Sequence, residues 1–193
     1  MGIKNYFVYF PKITCVIILV YSMLFVMDRA IFKGRIFELG SGKGFSKMKR
    51  KEWYRLITGS FFHANTFHLL CNVAAMYFVG SILENKIGSK YFLIIYLVCN
   101  IAQSVVFAKM FDKTDNSCGA SPGIYGLIAC ILILHLINPD LFRLNLGTWP
   151  INYIVGYFFL RNLIGVDALI AHSLGFSFGI VVSVIFIYFS IIL

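Results

Sequence analysis

At 193 residues, with 60% hydrophobic and 13% charged side chains, the chain is more apolar and far less charged than soluble domains, which excludes an ordinary water-soluble globule. The length leaves room for one membrane domain over residues 1–193, since each spanning helix takes about 20 residues and each connection several more. A net charge of +9 invites a nucleic-acid reading. The cations, however, cluster beside apolar segments rather than along a polar face with stacking aromatics, so membrane lipids are the expected partner and nucleic acid is not.

Runs free of Asp, Glu, Lys and Arg predict an all-α membrane protein with six transmembrane helices, near 13–27, 56–83, 91–108, 119–138, 144–160 and 168–193. Helices are the economical solution because every backbone group must be paired within the segment. The first run follows Lys4 and Lys12 and resembles a signal peptide, but no small-residue cleavage site precedes Asp28 and Arg29, so a retained span is expected. The connection 29–55 alternates Phe32, Ile36, Phe37, Leu39, Phe45, Met48 and Trp53 with nine Lys or Arg, which suits a segment lying in the headgroup layer. Gly40, Gly42 and Gly44 keep a solvated loop open as the alternative.

The second run carries His63, His68 and Asn72, polar groups that are expensive at membrane depth unless they line a site. His68 and Asn72 are four apart and share a helix face. His63 and His68, five apart, would point about 140° away from each other on one helix, and no Cys or carboxylate completes a ligand set, so neither a metal nor another cofactor is expected. The fourth run opens on Gly119-Ala120-Ser121-Pro122-Gly123-Ile124-Tyr125-Gly126. Serine at a helix start is most often a cap, and Pro122 suits a first turn because its missing N–H would have no partner there. Tyr125, one turn on and about 40° around the axis, shares a face with Ser121. His135, near the end of this run, reads as interfacial.

The fifth run is interrupted by Gly147, Pro150 and Gly156, and Asp167 reads as the cap of the last helix. That last helix carries Ala171-His172 followed by Gly175 and Gly179. Small residues at helical spacing in the fourth and sixth runs let two backbones approach closely. The five cysteines (Cys15, Cys71, Cys99, Cys118, Cys130) lack metal spacing and read as small buried hydrophobes rather than a disulfide framework.

From about Trp53 to Gly179 these motifs resemble the rhomboid family of intramembrane serine proteases. The resemblance rests on Gly119-x-Ser121, on Ala171-His172-x2-Gly175-x3-Gly179, on His68-x3-Asn72 and on Tyr54-Arg55, where Tyr54 stands in place of the family's tryptophan. One departure is Pro122, where the family has Gly directly after the serine. The resemblance implies a six-helix bundle whose second, fourth and sixth helices build a hydrophilic cavity. Ser121 would be the nucleophile and His172 the general base, with no acidic third member, while His68 and Asn72 would stabilise the oxyanion. Tyr125 would pack against His172, His63 would organise the polar interior, and Gly119, Gly175 and Gly179 would support the geometry.

The resemblance further implies single-span transmembrane substrates that reach the site laterally, past the fifth helix and a loop around Leu163–Asp167. It implies a multi-pass protein of the cell membrane with a cytoplasmic N-terminus. Charge counting points the other way. Lys4, Lys12, Lys86, Lys90 and Arg143 fall on the side of the N-terminus, and the other twelve of the seventeen cations, nine of them in the first loop, fall opposite. The alternative to a protease is a silent relative that binds membrane clients; loss of Ser or His marks such relatives, and both are present here. A small transporter would need a second half resembling the first, and none is found.

Overall fold

The computed structural model describes residues 10–140, 142, 144, 147–163, 165–189 and 192. Lys4 and Arg143 of the charge count, Ile164 of the predicted loop and the end of the last run at Leu193 lie outside the described residues. The chain runs through α1 (Lys12–Ala30), α2 (Arg35–Gly40), α3 (Arg55–Thr58), α4 (Thr66–Ile87), α5 (Ser89–Met110), α6 (Ser121–Ile137), α7 (Trp149–Arg161) and α8 (Val166–Tyr188). No strand occurs among the described residues; a single bridge pairs Gly42 with Ser117.

Six of these helices take up the six apolar runs, and this is an all-helical membrane bundle. Four of them, α1, α4, α5 and α8, are long and apolar enough to cross a bilayer. The other two are shorter. α6 has 17 residues and α7 has 13, or about 25 and 20 Å of helix against a hydrocarbon core of about 30 Å. α7 starts only at Trp149 because Gly147 takes a φ of +96° and Pro150 fits a first turn. The second run also starts late, at Thr66, where the Asn65 side chain accepts the His68 N–H at 2.8 Å.

α6 is the axis of the bundle. Every residue from Ser121 to Ile131 is buried, as expected for a helix apolar on all sides. α8, α5 and α4 pack around it, and glycines set the spacing. A Cβ on Gly179 would fall 2.6 Å from Gly126 Cα, one on Gly175 would fall 2.7 Å from Pro122 Cα, and one on Gly123 would meet the Asn100 side chain. α1 leans on α4 in the same way, with Gly80 against Thr14.

The start of α1 is finished by another helix. Its first turn carries no acidic residue, and Pro11 before it supplies no side-chain cap. Instead the Glu84 carboxylate, near the end of α4, accepts the N–H groups of Ile13 (2.9 Å) and Thr14 (2.8 Å) and the hydroxyls of Thr14 (2.7 Å) and Ser89 (2.6 Å). An anion at a helix N-terminus satisfies its orphan donors and complements its dipole.

The first loop is folded, not a solvated strand of chain. Three of its four glycines serve close approach: a Cβ at Gly40 would strike the Phe62 ring, one at Gly42 the Ser117 side chain, and one at Gly44 the Asp112 carbonyl. Around them Gly44 N–H donates to the Thr114 carbonyl (2.9 Å), Ser41 donates to Asn116 (2.8 Å), and Ser46 bonds Asp112. The Ser46 hydroxyl and N–H hold the Asp112 carboxyl below its usual range. Arg55 is buried and holds the loop to itself through the carbonyls of Glu38 (2.7 Å) and Ser41 (2.9 Å) and the Glu52 carboxylate (2.9 Å). Tyr54 adds a bond to the Leu39 carbonyl at 3.0 Å. The loop thereby fixes the segment that leads into Ser121.

Candidate active site

Ser121 is the first residue of α6, and Pro122 occupies the second position, where the ring costs no hydrogen bond. Pro122 therefore replaces the family's glycine without breaking the helix, and its backbone forms the surface on which Gly175 rests. The Gly123 N–H is taken by Asn100 Oδ1 at 3.1 Å. Just upstream, Gly119 adopts a φ of +122° and donates its N–H to the Gly59 carbonyl at 3.1 Å. It also has no room for a side chain, since a Cβ there would lie 2.7 Å from His68 Cε1 and 3.7 Å from Asn72 Nδ2.

His172, in the second turn of α8, places Nε2 2.9 Å from Ser121 Oγ. Both side chains are buried, at 2% and 5% exposure. The Tyr125 ring stacks on the imidazole with centroids 4.2 Å apart and planes 5° from parallel. Its hydroxyl donates to the Phe158 carbonyl of α7 at 2.7 Å.

His68 and Asn72 flank Gly119 from α4. The Asn72 oxygen accepts from the Tyr157 hydroxyl at 2.7 Å, while Asn72 Nδ2 and His68 Nε2 are buried without a hydrogen-bond partner. An orphaned buried polar atom costs about 1–3 kcal/mol. Both atoms lie against Gly119, two residues before Ser121: a Cβ there would fall 2.8 Å from His68 Nε2 and 3.7 Å from Asn72 Nδ2. A cavity of about 280 Å³ opens onto Ser121, His172, His68, Gly119, Arg161 and Gln103; Asn72 is fully buried one layer behind it.

His63 is buried against Tyr21 and His68, each at a ring-centroid distance of 5.1 Å. The two rings are not set about 140° apart around one helix, because His63 lies before the helix that begins at Thr66. No third His, Cys, Asp or Glu joins them to make a metal cluster among the described residues. Asp167 is not the cap of α8 but the second residue of its first turn, behind Gly165. His135 is half-buried and pairs through Nδ1 with the Phe142 carbonyl at 2.7 Å. All five cysteines are free, with Cys99 and Cys130 buried and Cys15, Cys71 and Cys118 partly so.

Asn162, Tyr157 and Arg161 were not singled out by sequence reasoning, although all three reach the site. Arg161 and Asn162 sit at the end of α7, where polar residues read as a helix stop, Tyr157 lies about one turn earlier among apolar residues, and no spacing rule connects them to His172 or Asn72.

A profile of the rhomboid domain matches residues 50–189. The chain belongs to the rhomboid family. It is 35% identical over 103 residues to the rhomboid protease GluP of Bacillus subtilis (strain 168), covering 53% of this chain and 20% of that protein. It is 26% identical over 128 residues to the inactive RHOMBOID-like protein 8 of Arabidopsis thaliana, covering 62% of this chain and 36% of the other. With the human rhomboid-related protein 4 it shares 27% identity over 94 residues, 45% of this chain and 30% of that one. The chain thus spans between about a fifth and about a third of the length of these curated relatives. This rhomboid is an integral membrane protein, and its relatives include both a protein named as a protease and one named as inactive.

Proposed function

We propose that this rhomboid is an intramembrane serine endopeptidase that cuts single-span membrane proteins within or beside their transmembrane helix. The observation that carries the reading is the buried contact of 2.9 Å between His172 Nε2 and Ser121 Oγ, made by residues from two different helices. In the proposed reaction His172 takes the hydroxyl proton as Ser121 Oγ attacks the scissile carbonyl, then gives it to the leaving amine as the peptide C–N bond breaks. A water molecule, deprotonated by the same imidazole, hydrolyses the acyl-enzyme and regenerates the serine. Hydrolysis needs water while the substrate needs lipid, and a cavity that brings His68, Gln103 and Arg161 together inside an apolar bundle would reconcile the two.

The silent, client-binding alternative differs at one point: it requires no reactive serine. The full chain is to be reconstituted with a generic single-span reporter and also treated with a fluorophosphonate probe. Cleavage and labelling in the wild type, both lost in Ser121→Ala, are expected; absence of both in folded wild type would favour the silent reading.

His68 and the Asn72 amide are proposed as donors to the oxyanion. The double variant His68→Ala, Asn72→Ala is expected to lower kcat by about 100- to 1,000-fold with little change in KM, because the charge they stabilise exists only along the reaction path. Wild-type turnover in the double variant would return both residues to a structural role.

We place the N-terminus in the cytoplasm and the site toward the opposite face. The positive-inside rule is calibrated on ordinary loops, whereas several first-loop cations here are engaged: Arg55 with carbonyls and Glu52, Arg29 with the Ala64 carbonyl, and Lys47 with Asp115. Cysteine accessibility tests this in a background with the native cysteines replaced. Ser41 is fully buried, so the probes belong at exposed Lys51 and Lys90. Lys51→Cys should label from outside and Lys90→Cys from the cytoplasm; the reverse would invert the topology.

A further inference from the structure

Asn162, the residue that closes α7, holds the side of His172 that faces away from Ser121. His172 Nδ1 and Asn162 Oδ1 are 2.9 Å apart, and Asn162 Nδ2 donates to the Phe158 carbonyl at 2.9 Å. The second bond determines how the first is polarised. A backbone carbonyl only accepts, so the amide nitrogen must face Phe158 and the amide oxygen must face the imidazole. That oxygen also only accepts, so Nδ1 carries the ring proton. In a neutral imidazole Nε2 is then bare, with its lone pair available to the Ser121 hydroxyl at 2.9 Å.

The opposite tautomer would set two lone pairs against each other at Asn162 and an N–H against the nucleophile. An asparagine in such a place is useful only if its amide cannot turn over, because the flipped amide would stabilise the unproductive tautomer, an error worth as much as 10⁴-fold in serine hydrolases. The Phe158 carbonyl prevents the flip. Tyr125, stacked on His172, bonds the same carbonyl, so one peptide unit of α7 steadies both the edge and the face of the imidazole.

We infer that Asn162 is a positioning residue for His172, fixing the Nδ1–H tautomer in which Nε2 accepts the proton of Ser121. The inference rests on the peptidase reading of that pair, but its readout does not require cleavage. The full chain, labelled with ¹⁵N-histidine and held in micelles at neutral pH, contains four histidines; the His172 signals are assigned by their loss in His172→Gln.

Wild type should show a protonated Nδ1 and a bare Nε2. Asn162→Leu should lose that preference and lower kcat about 100-fold with KM little changed, whereas Asn162→Asp, which keeps an acceptor, should retain the tautomer. A bare Nδ1 in wild-type His172 would overturn the inference without any variant having to fold, and so would an unchanged tautomer and kcat in folded Asn162→Leu. A tautomer that follows Asn162 in a protein that cuts no reporter would uphold the positioning and overturn the peptidase reading instead.

Discussion

Ser121→Ala is expected to reduce cleavage of a reconstituted single-span reporter by on the order of 10⁴-fold or more, and His172→Ala by a similar factor, since members of a nucleophile–base pair act as a unit. The two variants differ in what else they disturb. Ser121→Ala removes one oxygen whose hydrogen-bond partner is His172 and leaves a good helix former at the head of α6, so stability should fall by no more than about 1 kcal/mol. His172→Ala also removes the ring that Tyr125 stacks on and leaves a buried void, for about 2–3 kcal/mol. Turnover must therefore be normalised to the folded fraction, read by thermal unfolding in detergent. Undiminished turnover in either variant, once normalised, would falsify the dyad.

Valine at Gly175 or Gly179 should cost about 3 kcal/mol of stability and roughly 100-fold or more in turnover, although neither glycine touches the reacting atoms. The added Cβ would fall 2.7 Å from Pro122 Cα in one case and 2.6 Å from Gly126 Cα in the other. These are backbone atoms of a helix buried on all sides, and they cannot rotate away as a side chain would. α6 and α8 must separate, carrying Ser121 from His172, and a displacement of about 1 Å is enough for that loss. Gly156→Val on α7 is the control, because nothing lies within 4 Å of its added Cβ. Thermal unfolding and reporter cleavage measured together decide the matter: stable, active valine variants at 175 and 179 would mean that the two helices have slack.

The parts of the site legible in the sequence are those held by local spacing. Ser121 and Tyr125 one turn apart, His68 and Asn72 one turn apart, and His172 ahead of two glycines each occupy a single helix, so their relative placement follows from helix geometry. Relations between helices were legible only where small residues advertised close contact. What depends on loops is less legible. His63 falls before the helix that Asn65 caps, so its angle to His68 is not a helical one, and Gly40, Gly42 and Gly44, which leave a solvated loop open beside the headgroup-layer reading, each admit a neighbouring chain. Asn162 escaped notice because its contact with His172 depends on where α7 stops and how the chain turns into α8, neither of which is written in any residue spacing.

The capping of α1 by Glu84 has a consequence for the order in which the protein is made. The donors at Ile13 and Thr14 and their acceptor are separated by 71 and 70 positions. Until the far end of α4 has been made, α1 has a proline before it and no carboxylate of its own in its opening turn, so the donors at Ile13 and Thr14 lack the acceptor that they have in the folded chain. Truncated nascent chains arrested before residue 84 should accordingly leave this end open to amide exchange, and chains arrested after Ser89 has cleared the tunnel should protect it.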